Sequence, residues 1–251
     1  MAAEIQPSFL LVLSALLAVG FAQPHTLEEN NVGSEKVSVK INKLLDMMMP
    51  AIQNIIVKDG MDPLEMPDIS KNLAGFITHN GVLNLTNGWL QGLSHIRRMN
   101  DVILSYENKV LTLDMSLGFD VLSVNYEYTL KYGQIKRKGD FNGLFQNVEL
   151  QLKLALDMEN YKIILQSLEI IKMQKLDIKL EGNAADPVLN LAIKAVTMIF
   201  RKGVKNIVEK RFVIVVQSLV DEINEKIPVP ERLRDSFDIL ETPTTFTFTL
   251  V

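Results

Sequence analysis

Residues 111–130, LTLDMSLGFDVLSVNYEYTL, decide the fold, because an apolar side chain stands at every second position. The apolar residues are odd-numbered from Leu111 to Val121 and even-numbered from Val124 to Leu130. A period of two is typical of an antiparallel strand with one face in the core and the other in solvent. The change of phase between Val121 and Val124 requires a turn or a bulge, and a bulge bends the sheet.

The same period continues on both sides of this stretch, over residues 82–180. Residues 148–158 alternate apolar with small or polar side chains, and a second change of phase lies between Leu165 and Leu168. Strands of about ten residues or more exceed the usual five or six. The sequence therefore predicts a long, curved antiparallel sheet.

A long helix follows the strands. Asp186 and Pro187 form a strong start signal, since aspartate caps helices and proline is favoured in the first turn. Apolar residues then recur at steps of three and four as far as Pro228, which predicts about 40 residues and a length of about 60 Å. Gly203 and the β-prone run at 212–216 leave a break within this helix open.

A shorter helix precedes the strands. With Ser34 as its cap, this helix carries apolar residues on one face from Ile41 to Ile56. Pro50 is expected to kink it, because proline lacks the amide hydrogen and crowds the preceding turn. Residues 59–68, DGMDPLEMPD, then end the helix and predict an extended connector.

These lengths predict the fold class, α+β, in an elongated form. A compact globule of this chain length would be only about 45 Å across, which is shorter than the predicted second helix. The elements fit together as a super-roll, in which a long curved sheet wraps around the C-terminal helix and a second helix lies N-terminal to the sheet. The wrap creates an apolar seam between sheet and helix, which side chains either fill or leave as a cavity.

Composition and charge argue against several classes of protein. The chain has 251 residues, of which 47% are hydrophobic and 22% charged, as in ordinary globular proteins. Its net charge of −4 provides no general basic surface for nucleic acid, and the absence of cysteine excludes disulfides, thiolate catalysis and Cys-ligated zinc. With three histidines and no phosphate loop, metal motif or nucleophile elbow, the sequence predicts neither an enzyme nor a cofactor or metal site.

The N-terminus has the pattern of a secretory signal. Residues 9–21, FLLVLSALLAVGF, have the length of a signal-peptide core, with cleavage before Gln23; an uncleaved anchor and a buried helix are the alternatives. The mature protein is therefore predicted to be secreted and extracellular, without a transmembrane segment. Four segments follow from this pattern: a signal peptide at 1–22, a flexible N-terminus at 23–33, one domain at 34–227, and a tail at 228–251 that is either an edge strand or disordered.

Three segments carry a resemblance to a known family. They are residues 62–68 (DPLEMPD), 92–99 (GLSHIRRM) and 124–133 (VNYEYTLKYG). In this order, and with the order helix, strands, helix, the chain resembles the cysteine-free mite group 7 allergen-like proteins of arthropods. These are relatives of the takeout and juvenile-hormone-binding proteins in the tubular lipid-binding (BPI-like) superfamily. The likeness covers residues 34–226.

The resemblance implies a curved antiparallel sheet rolled around the C-terminal helix, with an apolar cavity that receives a lipid-like ligand. The takeout branch usually has an N-terminal cysteine pair, which this chain lacks; this favours the group 7 branch and weakens a role as hormone carrier. The tail after Pro228 has no counterpart in the family.

The apolar rows of the strands and of the second helix are the candidate lining of such a cavity. The candidate ligand-binding residues are Leu111, Leu113, Met115, Leu117, Tyr126, Tyr128, Leu150, Leu152, Leu154, Ile193, Val196 and Phe200. For each of them, ordinary core packing is the competing interpretation. The eleven methionines have the same two interpretations, as an adaptable pocket or as gap fillers.

Three features of the predicted surface carry further hypotheses. Asn84 begins an N-glycosylation sequon whose side chain is expected to face solvent; an unused tripeptide is the alternative. Two basic clusters, one of Lys131 and residues 136–138 and the other of Arg97 and Arg98, are either attractors of anionic headgroups and microbial surfaces or solvated loops.

Two other positions are assigned mainly to structure. Trp89, the sole tryptophan, is predicted to lie in the core or at an interface. Ser94 and His95 are adjacent residues of a predicted strand, so their side chains are expected on opposite faces and poorly placed as a nucleophile and its base.

Two functional hypotheses remain. The first is a secreted, non-enzymatic carrier that encloses a lipid or another apolar small molecule, with peripheral membrane contact as an option. The second is a recognition module of the innate-immune type, with a filled core, that binds microbial lipid or a protein partner through its surface. The sequence does not specify the oligomeric state.

Overall fold

The computed structural model of the protein describes residues 36–73, 81–182 and 185–226. The predicted signal peptide 1–22, the mature N-terminus 23–33, the cap Ser34 and the tail 228–251 lie outside the described residues. The elements in the described ranges are, in chain order, β1 (Val37–Lys40), α1 (Asn42–Lys58), β2 (Leu64–Met66), β3 (Ile69–Leu73), β4 (Gly81–Gln91), a 3-10 helix (Leu93–His95), β5 (Arg97–Arg98), β6 (Ile103–Glu107), β7 (Val110–Tyr132), β8 (Ile135–Asp157), β9 (Lys162–Met173), β10 (Leu176–Leu180) and α2 (Pro187–Lys226).

Two strands of 23 residues each, β7 and β8, form the centre of an antiparallel sheet that has ten strands within the described ranges. They pair along their whole length, from Val110 opposite Asp157 to Tyr132 opposite Ile135. On its other side β7 pairs with β6, β5 and β4 in succession, while β8 pairs first with β10 and then with β9. The sheet therefore consists of two halves that share the same two central strands.

The predicted change of phase in β7 is confirmed, but it lies between Phe119 and Leu122 rather than after Val121. Phe119 and Leu122 are fully buried, whereas Val121, expected in the apolar row, is 46% exposed. The neighbouring Asp120 also faces solvent, where the Arg97 guanidinium binds its carboxylate. Two consecutive outward residues thus separate the buried rows of the two halves.

The strand β8 changes phase at the same level. Phe145 and Val148 are both fully buried, and Asn147 between them has a left-handed φ of 51°, which asparagine adopts more readily than most residues. Phe145 pairs with Leu122 and Val148 pairs with Phe119. In both central strands the set of positions that points into the core therefore changes at the same level, and the register between the two strands stays the same.

The second predicted change of phase is a β-bulge in β9. Leu165 pairs with Leu154 and Ser167 pairs with Lys153, which leaves Gln166 as the extra residue of the bulge. A further shift of register in β9 lies between the residue that pairs with Glu149 of β8 and the residue that pairs with the next position of β8. Since bulges increase bending and twist, the curvature predicted from the sequence has its local cause here.

The C-terminal helix α2 begins where the sequence predicts. The Asp186 carboxylate accepts a hydrogen bond from the Val188 N–H at 2.9 Å, as a helix cap does. The 40 residues of α2 continue through Gly203 and through 212–216 without a break. At 1.5 Å per residue the helix is about 60 Å long, which the central strands, about 75 Å long, can accommodate.

The N-terminal helix α1 begins at Asn42, so the prediction of a helix directly after Ser34 is wrong. Residues 37–40 form the edge strand β1 and pair with β6 instead, which their alternating sequence VSVK permits. The helix runs through Pro50 and ends at Lys58. The connector that follows is extended as predicted and supplies two short strands, β2 and β3, to the sheet.

The three segments that carry the family resemblance are bonded to one another. The Asp62 carboxylate accepts hydrogen bonds from the backbone N–H groups of Gly92 and Ser94, at 3.0 and 2.8 Å, and from the Ser94 hydroxyl. The Tyr126 hydroxyl donates to the carbonyl oxygen of Pro67 at 3.0 Å. The bonds to Asp62 hold the 3-10 helix in a segment that the sequence predicted as a strand, so that part of the prediction is wrong.

We expect Asp62→Ala to lower the free energy of unfolding by about 2–3 kcal/mol, because three donors around the 3-10 helix lose a charged acceptor. Asp62→Asn should cost less, since its side-chain oxygen still accepts one of these bonds. Chemical denaturation followed by circular dichroism measures both values. Glu65→Ala, at an exposed position of β2, is the control, and an equal loss in it would contradict the role assigned to Asp62.

Candidate functional site

Aromatic side chains close one half of the seam between the sheet and α2. Tyr126 of β7, Phe141 of β8 and Phe200 of α2 pack ring against ring, with centroids 4.8–6.1 Å apart. The Tyr126 side chain is 3% exposed, and the two phenylalanines are at most 1% exposed. Phe145 and Leu122 are fully buried in the same half. This half of the seam is a packed core.

The other half of the seam contains a cavity of about 130 Å³. Both helices and the sheet contribute to its walls, and every wall residue is Ile, Leu, Met, Val or Phe. The wall residues are Ile41, Leu44, Leu45, Met48, Ile52, Ile55, Ile56 and Met61 from α1 and its flanks; Ile96, Val102, Leu113, Met115, Leu117, Leu150, Leu152, Leu154, Ile163 and Leu168 from the sheet and its loops; and Phe212, Val215, Val216, Leu219, Val220 and Ile223 from α2.

The structure divides the predicted ligand-binding residues between the two halves. Those on the cavity wall are Leu113, Met115, Leu117, Leu150, Leu152 and Leu154. The packed half contains two of the others on β7, Tyr126 and Tyr128, and two on α2, Val196 and Phe200, all of them buried. Ile193 is half-buried on the same part of α2. Leu111 is half-buried beside the smaller cluster formed by Leu156, Ile163, Val220 and Ile223. For all of them, a role in binding stays a prediction.

The sequence-based candidates omit α1 and the second half of α2, which together supply much of the cavity wall. The amino-acid sequence contains a pattern that indicates each of these two wall segments. The apolar face of α1 needs a partner, and the stripe of α2 continues beyond Phe200 through Phe212 and Leu219 to Ile223. Among the methionines, Met48, Met61 and Met115 border the cavity, where flexible side chains can adapt to a guest.

Polar contacts hold α1 along one edge. The Arg98 guanidinium binds the Asp46 carboxylate with two hydrogen bonds, of 2.8 and 3.0 Å. The side chains of Asn42 and Gln53 bind backbone groups within residues 96–102, at 2.8 and 3.0 Å. Across the described ranges no hydrogen bond or ion pair joins α1 to α2. The two helices border the same cavity, but no polar contact in the described ranges holds one to the other.

A buried carboxylate stabilises the segment that anchors α1. Glu149 of β8, 8% exposed, accepts hydrogen bonds from the Asn100 amide at 2.7 Å and from the Ser116 hydroxyl at 2.6 Å. The Met99 N–H donates to the Ser116 carbonyl oxygen at 2.9 Å. The position of α1 thus depends on β7 and β8 through this loop.

The side chains of Ser94 and His95 lie in different surroundings, although the two residues are adjacent in the chain. The Ser94 hydroxyl donates to Asp62, and His95 is exposed next to it in the 3-10 helix, not in a strand. No group of three His, Asp or Glu residues within the described ranges is placed to hold a metal ion. Of the helices in these ranges, none combines the length and the apolar character needed to cross a membrane.

The structure also locates the predicted surface features. Asn84 is half-buried in β4 between two buried leucines, and its use as a glycosylation site stays a prediction. Trp89 is 43% exposed, so its assignment to the core is wrong, and an interface role stays a prediction. Arg97 and Arg98 are ion-paired with Asp120 and Asp46, so the charges of this basic cluster are already neutralised.

Comparisons with known proteins agree with this architecture. The family model described as Group 7 allergen matches residues 40–220. The chain is 24% identical over 196 residues to mite allergen Der p 7 of Dermatophagoides pteronyssinus, covering 76% of this chain and 89% of that relative. It is 22% identical over 203 residues to mite allergen Der f 7 of Dermatophagoides farinae, covering 78% of this chain and 90% of that relative.

Two solved structures align with this chain at low sequence identity, and the first of them shares its fold. The crystal structure of lipopolysaccharide binding protein aligns with a TM-score of 0.52 at 15% identity, covering 77% of this chain and 42% of that one. The present chain thus spans about two fifths of that protein's length. The crystal structure of Epiphyas postvittana Takeout 1 aligns with a TM-score of 0.41 at 14% identity, covering 74% of this chain and 93% of that one.

We expect Asp46→Ala to lower Tm by a few degrees at pH 7, and this difference from the wild type to shrink at pH below 3.8. The hydrogen bonds from Arg98 hold the pKa of Asp46 below its ordinary value of 3.8. A carboxylate with a lowered pKa stabilises the folded state above the ordinary value, and this contribution is lost as the pH falls through the lowered one.

Thermal unfolding at pH 7 and at acidic pH checks this expectation. Glu107→Ala, which removes a carboxylate at the exposed end of β6, is the control, and its difference from the wild type should depend less on pH. A difference for Asp46→Ala that is unchanged in acid would show that the ion pair does not stabilise α1.

Proposed function

The chain belongs to the Group 7 allergen family, and on that premise we propose that it is a binding protein that encloses an apolar, lipid-like ligand. The observation that carries this proposal is the cavity between α1, the sheet and α2, whose walls consist entirely of apolar side chains. Burial of a ligand's apolar surface there would drive binding, at about 25 cal/mol per Å² removed from water.

Two further points support a carrier of lipid-like molecules. The cavity lies in a fold that is shared with a protein named for binding lipopolysaccharide. The helix α1 forms part of the wall but is held by polar contacts along one edge, so it can shift relative to α2 with fewer bonds to break than a helix anchored on both sides.

We propose that binding is not followed by a chemical reaction. The hydroxyl of Ser94 is engaged by Asp62, and the wall of the cavity carries no titratable or nucleophilic side chain. A ligand in the cavity would therefore meet neither a general base nor an activated nucleophile.

We further propose that the protein is secreted after cleavage before Gln23 and carries a glycan on Asn84. The described hydrogen bond of Asn84 uses its side-chain oxygen, which accepts from the Ser70 hydroxyl at 2.7 Å. The amide nitrogen, where a glycan would be attached, takes no part in that bond. Intact mass measured before and after glycosidase treatment of the secreted protein tests both points.

A bulky residue in the cavity should abolish ligand uptake. We expect Leu152→Trp to weaken binding of a fluorescent fatty-acid analogue at least tenfold, because the indole occupies the space in which the ligand would lie. Titration of the probe, with circular dichroism as a check of folding, measures the change.

Leu144→Trp is the matched control, since Leu144 lies on the same strand but faces solvent, with 39% exposure. It should bind as the wild type does. Equal binding by all three proteins would place the ligand elsewhere, and a purified wild type that neither contains lipid nor takes up the probe would refute the carrier function.

A second candidate function is attachment to anionic lipid surfaces through the hairpin between β7 and β8. Lys131, Lys136 and Lys138 are exposed on one face at its tip, and in the described residues no acidic side chain pairs with them. Ile135 is 37% exposed at the turn. Arg137 differs from these lysines, because it binds the Asp186 carboxylate at 3.0 Å and so supports the start of α2.

We expect Lys131→Glu, Lys136→Glu and Lys138→Glu together to abolish binding to phosphatidylglycerol vesicles at low salt, because the local charge is reversed. Co-sedimentation with phosphatidylglycerol and phosphatidylcholine vesicles measures it. The control is a triple variant that changes the net charge equally at exposed positions away from the tip, Lys58→Glu, Lys162→Glu and Lys210→Glu. Equal loss in both triple variants would show a general effect of charge rather than a site at the tip.

A further inference from the structure

We infer that the cavity accepts one narrow hydrocarbon chain whose polar end remains outside, and that Phe212 limits the length of chain that fits. This inference rests on the proposed function, because it specifies the ligand of the same cavity. Three observations carry it: the chemistry of the wall, the volume of the cavity, and the level at which its wall residues end.

The wall offers no partner for a polar group. Its side chains are all hydrocarbon or thioether, and the backbone groups behind most of them belong to helices and paired strands. Ile41, Met61, Ile96 and Val102 lie outside these elements, but backbone groups there are also engaged: the Ile41 N–H binds the Val102 carbonyl oxygen, the Met61 N–H binds that of Ile56, and the Ile96 carbonyl oxygen accepts from Gln53. A carboxylate or hydroxyl placed among them would lose its hydrogen bonds to water without replacement, at a cost of several kcal/mol. The ligand's polar end is therefore excluded from the cavity, and its apolar end is accepted.

The volume of about 130 Å³ restricts the shape of the guest. Pockets for drug-sized molecules typically measure about 300–1,000 Å³. An engineered apolar cavity of about 150 Å³ in another protein holds one benzene molecule. A single chain end fits such a space, whereas fused rings or two chains side by side exceed it.

The wall residues end at the same level on three elements. The last ones toward the packed half are Leu117 on β7, Leu150 on β8 and Phe212 on α2. The next inward residues of the strands, Phe119 and Val148, are fully buried. The rings of Phe119 and Phe212 lie 6.0 Å apart at an angle of 51°. The Phe212 ring is thus the inner end of the cavity.

The experiment uses a series of saturated fatty acids and primary alcohols of increasing chain length, which displace a fluorescent probe from the protein. For the wild type, affinity should rise about three- to fourfold per methylene and then level off once further methylenes remain in water. In Phe212→Leu the affinity should level off only at a longer chain length, because the smaller side chain leaves more space at the inner end of the cavity.

Phe200→Leu is the matched control, since it makes the same change on the same helix inside the packed half. It should keep the wild-type chain-length limit, and thermal unfolding verifies that both variants are folded. At equal chain length, the acid and the alcohol should bind within about threefold of each other. A tenfold preference for either would overturn the exclusion of the polar end.

The outcomes separate this inference from the proposed function. If chains bind but the limit is the same in Phe212→Leu as in the wild type, the role of Phe212 is overturned and the carrier function stands. If the limit moves equally in Phe200→Leu, the cavity extends into the packed half and the inference is also overturned. If the wild type binds no chain of any length, the carrier function and the inference both fail.

Discussion

Continuous pairing of β7 with β8 is the constraint on which the rest of the structure depends. The two strands keep one register from Val110 to Tyr132, so the neighbours on each flank are fixed in position along them. Their length of about 75 Å also gives α2 a surface on which its full length can pack. Because both strands exchange faces at the same level, the buried rows continue from one half to the other without a change of partner.

The two halves differ in how well they are packed. Tyr126, Phe141 and Phe200 fill one half with interlocking rings, and such contacts contribute both buried area and favourable ring geometry. In the other half, α1 takes its polar contacts from the segment 96–102, while α2 lies against β9 and β10. The aliphatic side chains of the two helices and of the sheet leave about 130 Å³ unfilled between them. With no cysteine in the chain, the packed half has to provide stability that disulfides would otherwise supply.

Much of the fold could be predicted from the sequence, because its signals are local. Alternation defined the long strands, and Asp186 with Pro187 marked the start of α2. The missed details depend on distant partners: β1 exists because β6 lies beside it, and the 3-10 helix exists because Asp62 binds its N–H groups. Alternation also could not decide between Val121 and Leu122, since both are apolar; the fold buries Leu122 in the packed half and leaves Val121 46% exposed.

The candidate site was harder to predict for a related reason. An apolar row has the same appearance in the sequence whether its side chains meet aromatic rings or empty space. Leu152 and Tyr126 belong to similar rows, yet the first borders the cavity and the second packs against Phe141 and Phe200. Which half is filled depends on where large rings from three distant segments converge, and this information is not contained in any local period.

The unequal packing of the two halves has a consequence for the evolution of the fold. A residue that borders empty space can be exchanged for a larger one with less strain than a residue in a dense core. The leucines and valines around the cavity are therefore free to drift in size while the aromatic half maintains the folded state. On the proposed function, such exchanges would alter the shape of the ligand that fits, without first requiring compensating changes elsewhere.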